Sequence, residues 1–113
     1  MDQLVPGVYA ELADRPGHGA ANAAVVVDDD GVTVVDTLMV ASQWEPFGAA
    51  VDALGPPIRR VALTSSNIEF AGGTTRFRLA AIYGRPQASA ILDQPSDPEL
   101  FRRLHPSFAG EFD

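Results

Sequence analysis

The 113-residue chain has no cysteine and only two histidines, His18 and His105. The first absence excludes disulfides, thiolate nucleophiles, iron–sulfur clusters and cysteine-built zinc sites. Basic residues are scarce too, 8 against 15 acidic ones, for a formal net charge of −7. A nucleic-acid binder or an anionic-membrane binder needs a basic face, so neither partner is expected. No apolar run approaches the length that crosses a bilayer. The start "MDQLVPGVYAEL" lacks the basic stretch and long apolar core of a signal peptide. The default expectation is a cytoplasmic protein.

Apolar residues make up 46% of the chain, enough for a core, and the length suits one compact domain, residues 1–113. Val5 to Leu12 reads as an edge strand with Pro6 near its start. A Gly/Pro/Asn-rich loop follows, Asp14 to Asn22. The runs "AAVVV" and "VTVVDTL", joined by "DDDG", carry a strong hairpin signal. Both are nearly continuous in apolar residues, as strands covered on two faces are. Trp44, Phe47, Val51 and Leu54 then recur at helical spacing, with Ser42 as the expected cap and Gly55-Pro56-Pro57 as the stop.

"IRRVALT" reads as another strand, Gly72 to Ala80 as a short helix, "AAIYG" as a strand and "QASAILDQ" as a further short helix. "SDPELFRRLHPSF" has the pattern of a capped helix, with Ser96 at the cap, Glu99 three residues on and Pro106 as the stop. The pattern predicts a mixed β-sheet with helices on one face, in the α/β (α+β) class. Such a half-layer leaves the other face of an apolar sheet open, which a lone soluble chain tolerates poorly.

One order of features is more specific. "GVYAEL", a Gly-rich loop ending at Asn22, the hairpin "VVVDDDGVTVVDT", an amphipathic helix, "IRRVALT" and a loop closed by Gly72-Gly73 follow one another. From Val5 to Tyr83 this order resembles the N-terminal half of the metallo-β-lactamase fold superfamily. The resemblance implies half of an αββα sandwich. It also implies a metal signature, T-H-x-H-x-D-H-x-G-G, on the loop after the Thr-ended strand. Set on "TSSNIEFAGG", the signature keeps Thr64 and both glycines. Ser65, Asn67 and Phe70 stand where it has histidines, and Glu69 stands where it has aspartate.

Serine and phenylalanine cannot replace imidazole, and asparagine is a weak neutral oxygen ligand. No metal and no other cofactor is therefore expected, and Phe70 is expected to point inward and fill the site. The resemblance also implies that the fold is completed by a second half, so a homodimer or a separate second half-domain is the expected partner.

Glu69, Asp36 and Ser65 are the candidate catalytic residues, with Glu69 or Asp36 as general base. Asn67, Ser66 and His18 are the candidate contacts to a small-molecule ligand. Against each stands a plainer role: Asp36 capping Thr37 or the next turn, the serines bonding their own loop. Arg59-Arg60 reads as a charged strand start and Arg102-Arg103 as a solvated face. Trp44 reads as core, and His105 as a histidine set at a helix C-terminus by the macrodipole. The expected role is a non-hydrolytic pseudoenzyme, structural or ligand-binding. The alternatives are metal-independent proton transfer on a small substrate, or a fragment of a larger hydrolase.

Overall fold

The acidic run between the valine-rich strands closes a tight hairpin. In a computed structural model describing residues 1–13, 20–86 and 97–112, β3 (Ala23–Asp28) and β4 (Gly31–Val35) pair antiparallel. The Asp30 amide donates to Asp28 Oδ1 at 2.8 Å, an aspartate turning its own backbone. Arg60 Nη1 donates to Asp30 Oδ2 at 2.6 Å, and Arg59 Nε donates to the Asp30 carbonyl at 2.8 Å. That Arg60 hydrogen bond, with its charge, holds the Asp30 carboxyl below the usual carboxylate range. The turn thus accounts for both the local acidity and the paired arginines.

The N-terminus departs from the expected single edge strand. Residues Asp2–Val5 form β1 and Val8–Glu11 form β2, an antiparallel pair turned at Pro6-Gly7. Gly7 holds φ +82 and its carbonyl accepts from the Val27 amide at 2.7 Å, so a glycine is needed to turn while still pairing with β3. Pro6 therefore lies in the turn, where it needs no ladder hydrogen bond. Beyond β4 the chain crosses over through α1 (Ala41–Asp52) to β5 (Ile58–Ala62), and later to β6 (Ala81–Tyr83). The last three strands are parallel, giving a mixed six-stranded sheet ordered β1-β2-β3-β4-β5-β6.

One face of this sheet makes the core. Val25, Val32, Val34 and Val61 are fully enclosed under Phe47 and Val51 of α1 and Phe77 of a 3-10 turn, Thr74–Phe77. The Phe47 and Phe77 rings meet edge to face at 6.2 Å, the geometry their quadrupoles favour. Trp44 packs on the rim of the same cluster. The strand registers put Val8, Val26, Thr33, Arg60 and Ala81 in one row of the opposite face, and Ala10, Ala24, Val35, Ala62 and Tyr83 in the next. Val26 is 37% exposed and Tyr83 56%. The helices thus lie on one face, as expected.

Helix boundaries differ in detail. The N-cap position of α1 is Val40, and Gln43 Oε1 accepts from the amides of Met39 and Val40 at 3.0 and 3.3 Å. The expected cap, Ser42, lies inside the helix instead. The expected helix from Gly72 to Ala80 is replaced by a one-turn helix α2 (Ile68–Ala71) and the 3-10 turn after it. Helix α3 (Pro98–Leu104) is capped by Asp97, whose Oδ1 accepts from the Glu99 and Leu100 amides, rather than by the expected Ser96. Ser96 and the expected helix at Gln87 to Gln94 lie outside the described residues. A 3-10 stretch, Pro106–Glu111, leads to Phe112, the last described residue.

Candidate functional site

The loop from Thr64 to Gly73 is fixed at both ends by the segment that leaves β4. Asp36 and Leu38 there hold positive φ angles, 64 and 69 degrees, conformations that aspartate tolerates and leucine rarely adopts. The cost is met by hydrogen bonds on both sides. The Asp36 amide donates to the Ala62 carbonyl at 2.9 Å, and the Thr37 amide donates to the Phe70 carbonyl at 2.6 Å. Thr37 Oγ1 donates to that same carbonyl at 3.0 Å and accepts from the Gly73 amide at 3.0 Å.

Asp36 is buried, and its carboxylate is a clamp across the strands. Oδ1 accepts from the Thr64 amide at 2.8 Å and Oδ2 from Thr64 Oγ1 at 2.6 Å. Its partner is therefore Thr64 on the neighbouring strand end, not the Thr37 expected as its capping target. At the far end, a Cβ on Gly72 would sit 2.1 Å from the Met39 carbonyl oxygen. One on Gly73 would sit 2.4 Å from the Thr37 carbonyl oxygen. The glycine pair is required because two backbones pass in contact.

Between these anchors lie the candidate side chains. Ser65 is half-buried, and its Oγ accepts from the Asn67 amide at 3.1 Å, bonding its own turn. Ser66 is half-buried on the same loop, and Asn67 is exposed at the N-cap position of α2. Glu69 lies on α2 with Oε1 3.7 Å from Nε2 of His105, whose ring is only 4% exposed. His105 follows α3 as expected, but its ring lies beside that of Phe112, with centroids 6.0 Å apart. It is a packed histidine rather than a surface charge on a helix end. Phe70 is half-buried and belongs to neither apolar cluster of the described residues; its carbonyl, held by Thr37, carries its structural role. His18 lies outside the described residues.

Two contacts here had no sequence signal. Glu111 reaches back to the start of α1, where its carboxylate oxygens accept from Ser42 N and Ser42 Oγ, each at 2.7 Å. The second is His105 against Glu69. Both join residues far apart in the chain, so no local pattern announces them.

The donor set does not fit a hydrolytic metal centre. Asp36 and Ser65 spend their oxygens on Thr64 and Asn67. Among the described residues, no group of three or more His, Cys, Asp or Glu is placed to share a metal ion. Nor is any described helix long and apolar enough to cross a membrane.

No family model and no curated protein matches the sequence. Solved structures do match. The mono-zinc form of the metallo-β-lactamase FIM-1 from Pseudomonas aeruginosa superposes with a TM-score of 0.65 at 22% identity, over 80% of this chain and 43% of that one. A metallo-β-lactamase from Erythrobacter litoralis gives 0.66 at 26% identity, over 80% and 42%. One from Hirschia baltica gives 0.64 at 21% identity, over 79% and 44%. The chain thus spans less than half the length of these enzymes. Likeness of this kind is likeness of fold: the chain is a half-domain of the metallo-β-lactamase fold.

Proposed function

We propose that this half-domain is a non-hydrolytic pseudoenzyme that works by pairing, its open sheet face docked on a second αβ half. One observation carries the reading: the face opposite α1 sets Val8, Val26, Ala24, Val35, Ala62 and Tyr83 around one polar pair, Thr33 and Arg60, away from the helix-covered core. A largely apolar face of this kind favours a partner, and the matched enzymes are more than twice as long as the part this chain covers. A second copy meeting it through a two-fold contact would present the same patch from both sides. Sedimentation at micromolar concentration is the test. The expected result is a species of two chains, converted to one chain by Val26→Arg, which adds a second cation to the row that holds Arg60. A wild type that remains a single chain overturns self-pairing.

A second reading, metal-independent proton transfer, has one observation in its favour. Glu69 lies 3.7 Å from a buried histidine, and a carboxylate–imidazole pair can move a proton; Ser65 and Asn67 stand on the same loop. The substrate class would be a small carbonyl acid. Deuterium exchange at the carbon next to the carbonyl of a 2-keto acid, followed by NMR, tests it. Exchange no faster than in buffer, or unchanged in Glu69→Gln, removes it.

A further inference from the structure

The C-terminal stretch Asp97 to Phe112 crosses the mouth of the loop as a strap. Glu111 pins it to the start of α1 through Ser42. Phe112, 7% exposed, packs on Met39 and Val40 with Phe101 and Phe108 around it. The strap does not close flush. A cavity of about 230 Å³ remains, walled on the body side by Met39, Trp44 and Ile68 and on the strap side by Phe101, Glu111 and Phe112.

We propose that this cavity is a binding site for a compact, neutral, apolar molecule of about one ring. Size and charge both point there. A closed apolar cavity of about 150 Å³ already holds benzene; this cleft is larger but partly open, with polar as well as apolar lining, so it takes a single substituted ring and not a drug-sized ligand. Among the described residues its one ionisable wall group is Glu111, and both oxygens of that carboxylate already accept from Ser42. An anion would face that fixed negative charge. A ligand in the cavity touches body and strap together, so occupancy tightens the strap over the loop. None of this depends on pairing through the sheet, because the cavity lies at the loop end.

The chain supplies its own reporter. It has two methionines; Met39 lines the cavity, and Met1 starts the exposed β-hairpin. Full-length protein labelled with ¹³C at the methionine methyls is titrated with toluene, and with benzoate as the charged ring of similar size. Toluene is expected to shift the Met39 signal saturably and leave Met1 unmoved, with benzoate causing no saturable shift. Ile68→Phe, which narrows the cavity, is expected to weaken toluene on the order of tenfold, the scale of a misfit in an apolar pocket. Linear drift of both methyls, no Met39 shift at all, equal binding of benzoate, or undiminished binding in Ile68→Phe would each overturn the site. Should Ile68→Phe not fold, Phe112→Ala, which removes the cavity's roof, carries the same expectation.

Discussion

Replacing Asp36 by alanine separates a structural clamp from a reserved catalytic base. In the folded chain both carboxylate oxygens are committed to Thr64, at 2.8 and 2.6 Å. Hydrogen bonds to a charged group contribute about 1.5–3 kcal/mol each when buried. Thr64 is itself exposed, so water can replace part of what its amide and hydroxyl lose, and the lower end applies. Alanine must also hold the positive φ of 64 degrees without aspartate's tolerance for it, a further ~1 kcal/mol. The expected destabilisation is about 4 kcal/mol in urea-melt equilibrium unfolding. Asp36→Asn keeps one acceptor and the backbone tolerance, and should cost about 1 kcal/mol. A cycle with Thr64→Val should show a coupling of roughly 1 kcal/mol, since valine deletes only the hydroxyl bond. An Asp36→Ala protein within about 0.5 kcal/mol of wild type would refute the clamp and return Asp36 to the list of free bases.

Gly72→Ala should cost about 3 kcal/mol or more, because the new Cβ would lie 2.1 Å from the Met39 carbonyl oxygen and neither backbone can yield; an unchanged urea midpoint would contradict that packing. Glu111→Gln halves the carboxylate that holds Ser42, so the amide of Phe112 should exchange hydrogen faster while the core strands keep their protection. A uniform change across the chain would show that the strap is no separate unit. Asp30→Asn tests the hairpin turn. Arg60 lowers the Asp30 carboxyl, so its small contribution is present above the unfolded value near 3.9 and disappears as pH falls through the lower folded value. Wild type and variant should therefore differ slightly at neutral pH, less in high salt, and converge in acid; a difference that persists in strong acid would rule out the ion pair as its source.

The sequence made the sheet legible where the signal is local. β-branched runs around "DDDG" fix β3 and β4, and Trp44, Phe47, Val51 and Leu54 mark one face of α1. It misled where two readings share one pattern: Val5 to Leu12 fits a strand until Gly7 is seen to turn, because a φ of +82 leaves no trace beyond the glycine. Caps shifted for the same reason. Ser42 and Ser96 have the right chemistry, but Gln43 and Asp97 stand where the free amides point. The site was half legible. The frame of Thr64 and Gly72-Gly73 could be read, while the strap over it joins residues 69 positions apart, beyond any local pattern.

That frame has a cause unconnected with metal. Thr64 is held because Asp36 needs two donors at the neighbouring strand end. The glycines are held because Thr37 to Met39 passes against them within bonding distance of their backbone. Strand end, threonine and glycine pair are thus a packing solution for bringing two chain segments together after parallel strands, and the side chains between them are free to change. Ser65, Asn67, Glu69 and Phe70 sit on the free part. The loop can therefore lose every ligand of the signature it resembles and keep its shape, which makes its shape a poor guide to its chemistry. What the loop does now depends on what covers it: Glu69 meets His105, and Ile68 joins the cluster that Phe112 makes with Met39 and Val40. The strap, more than the signature loop, is where the chemistry of this half-domain should be sought.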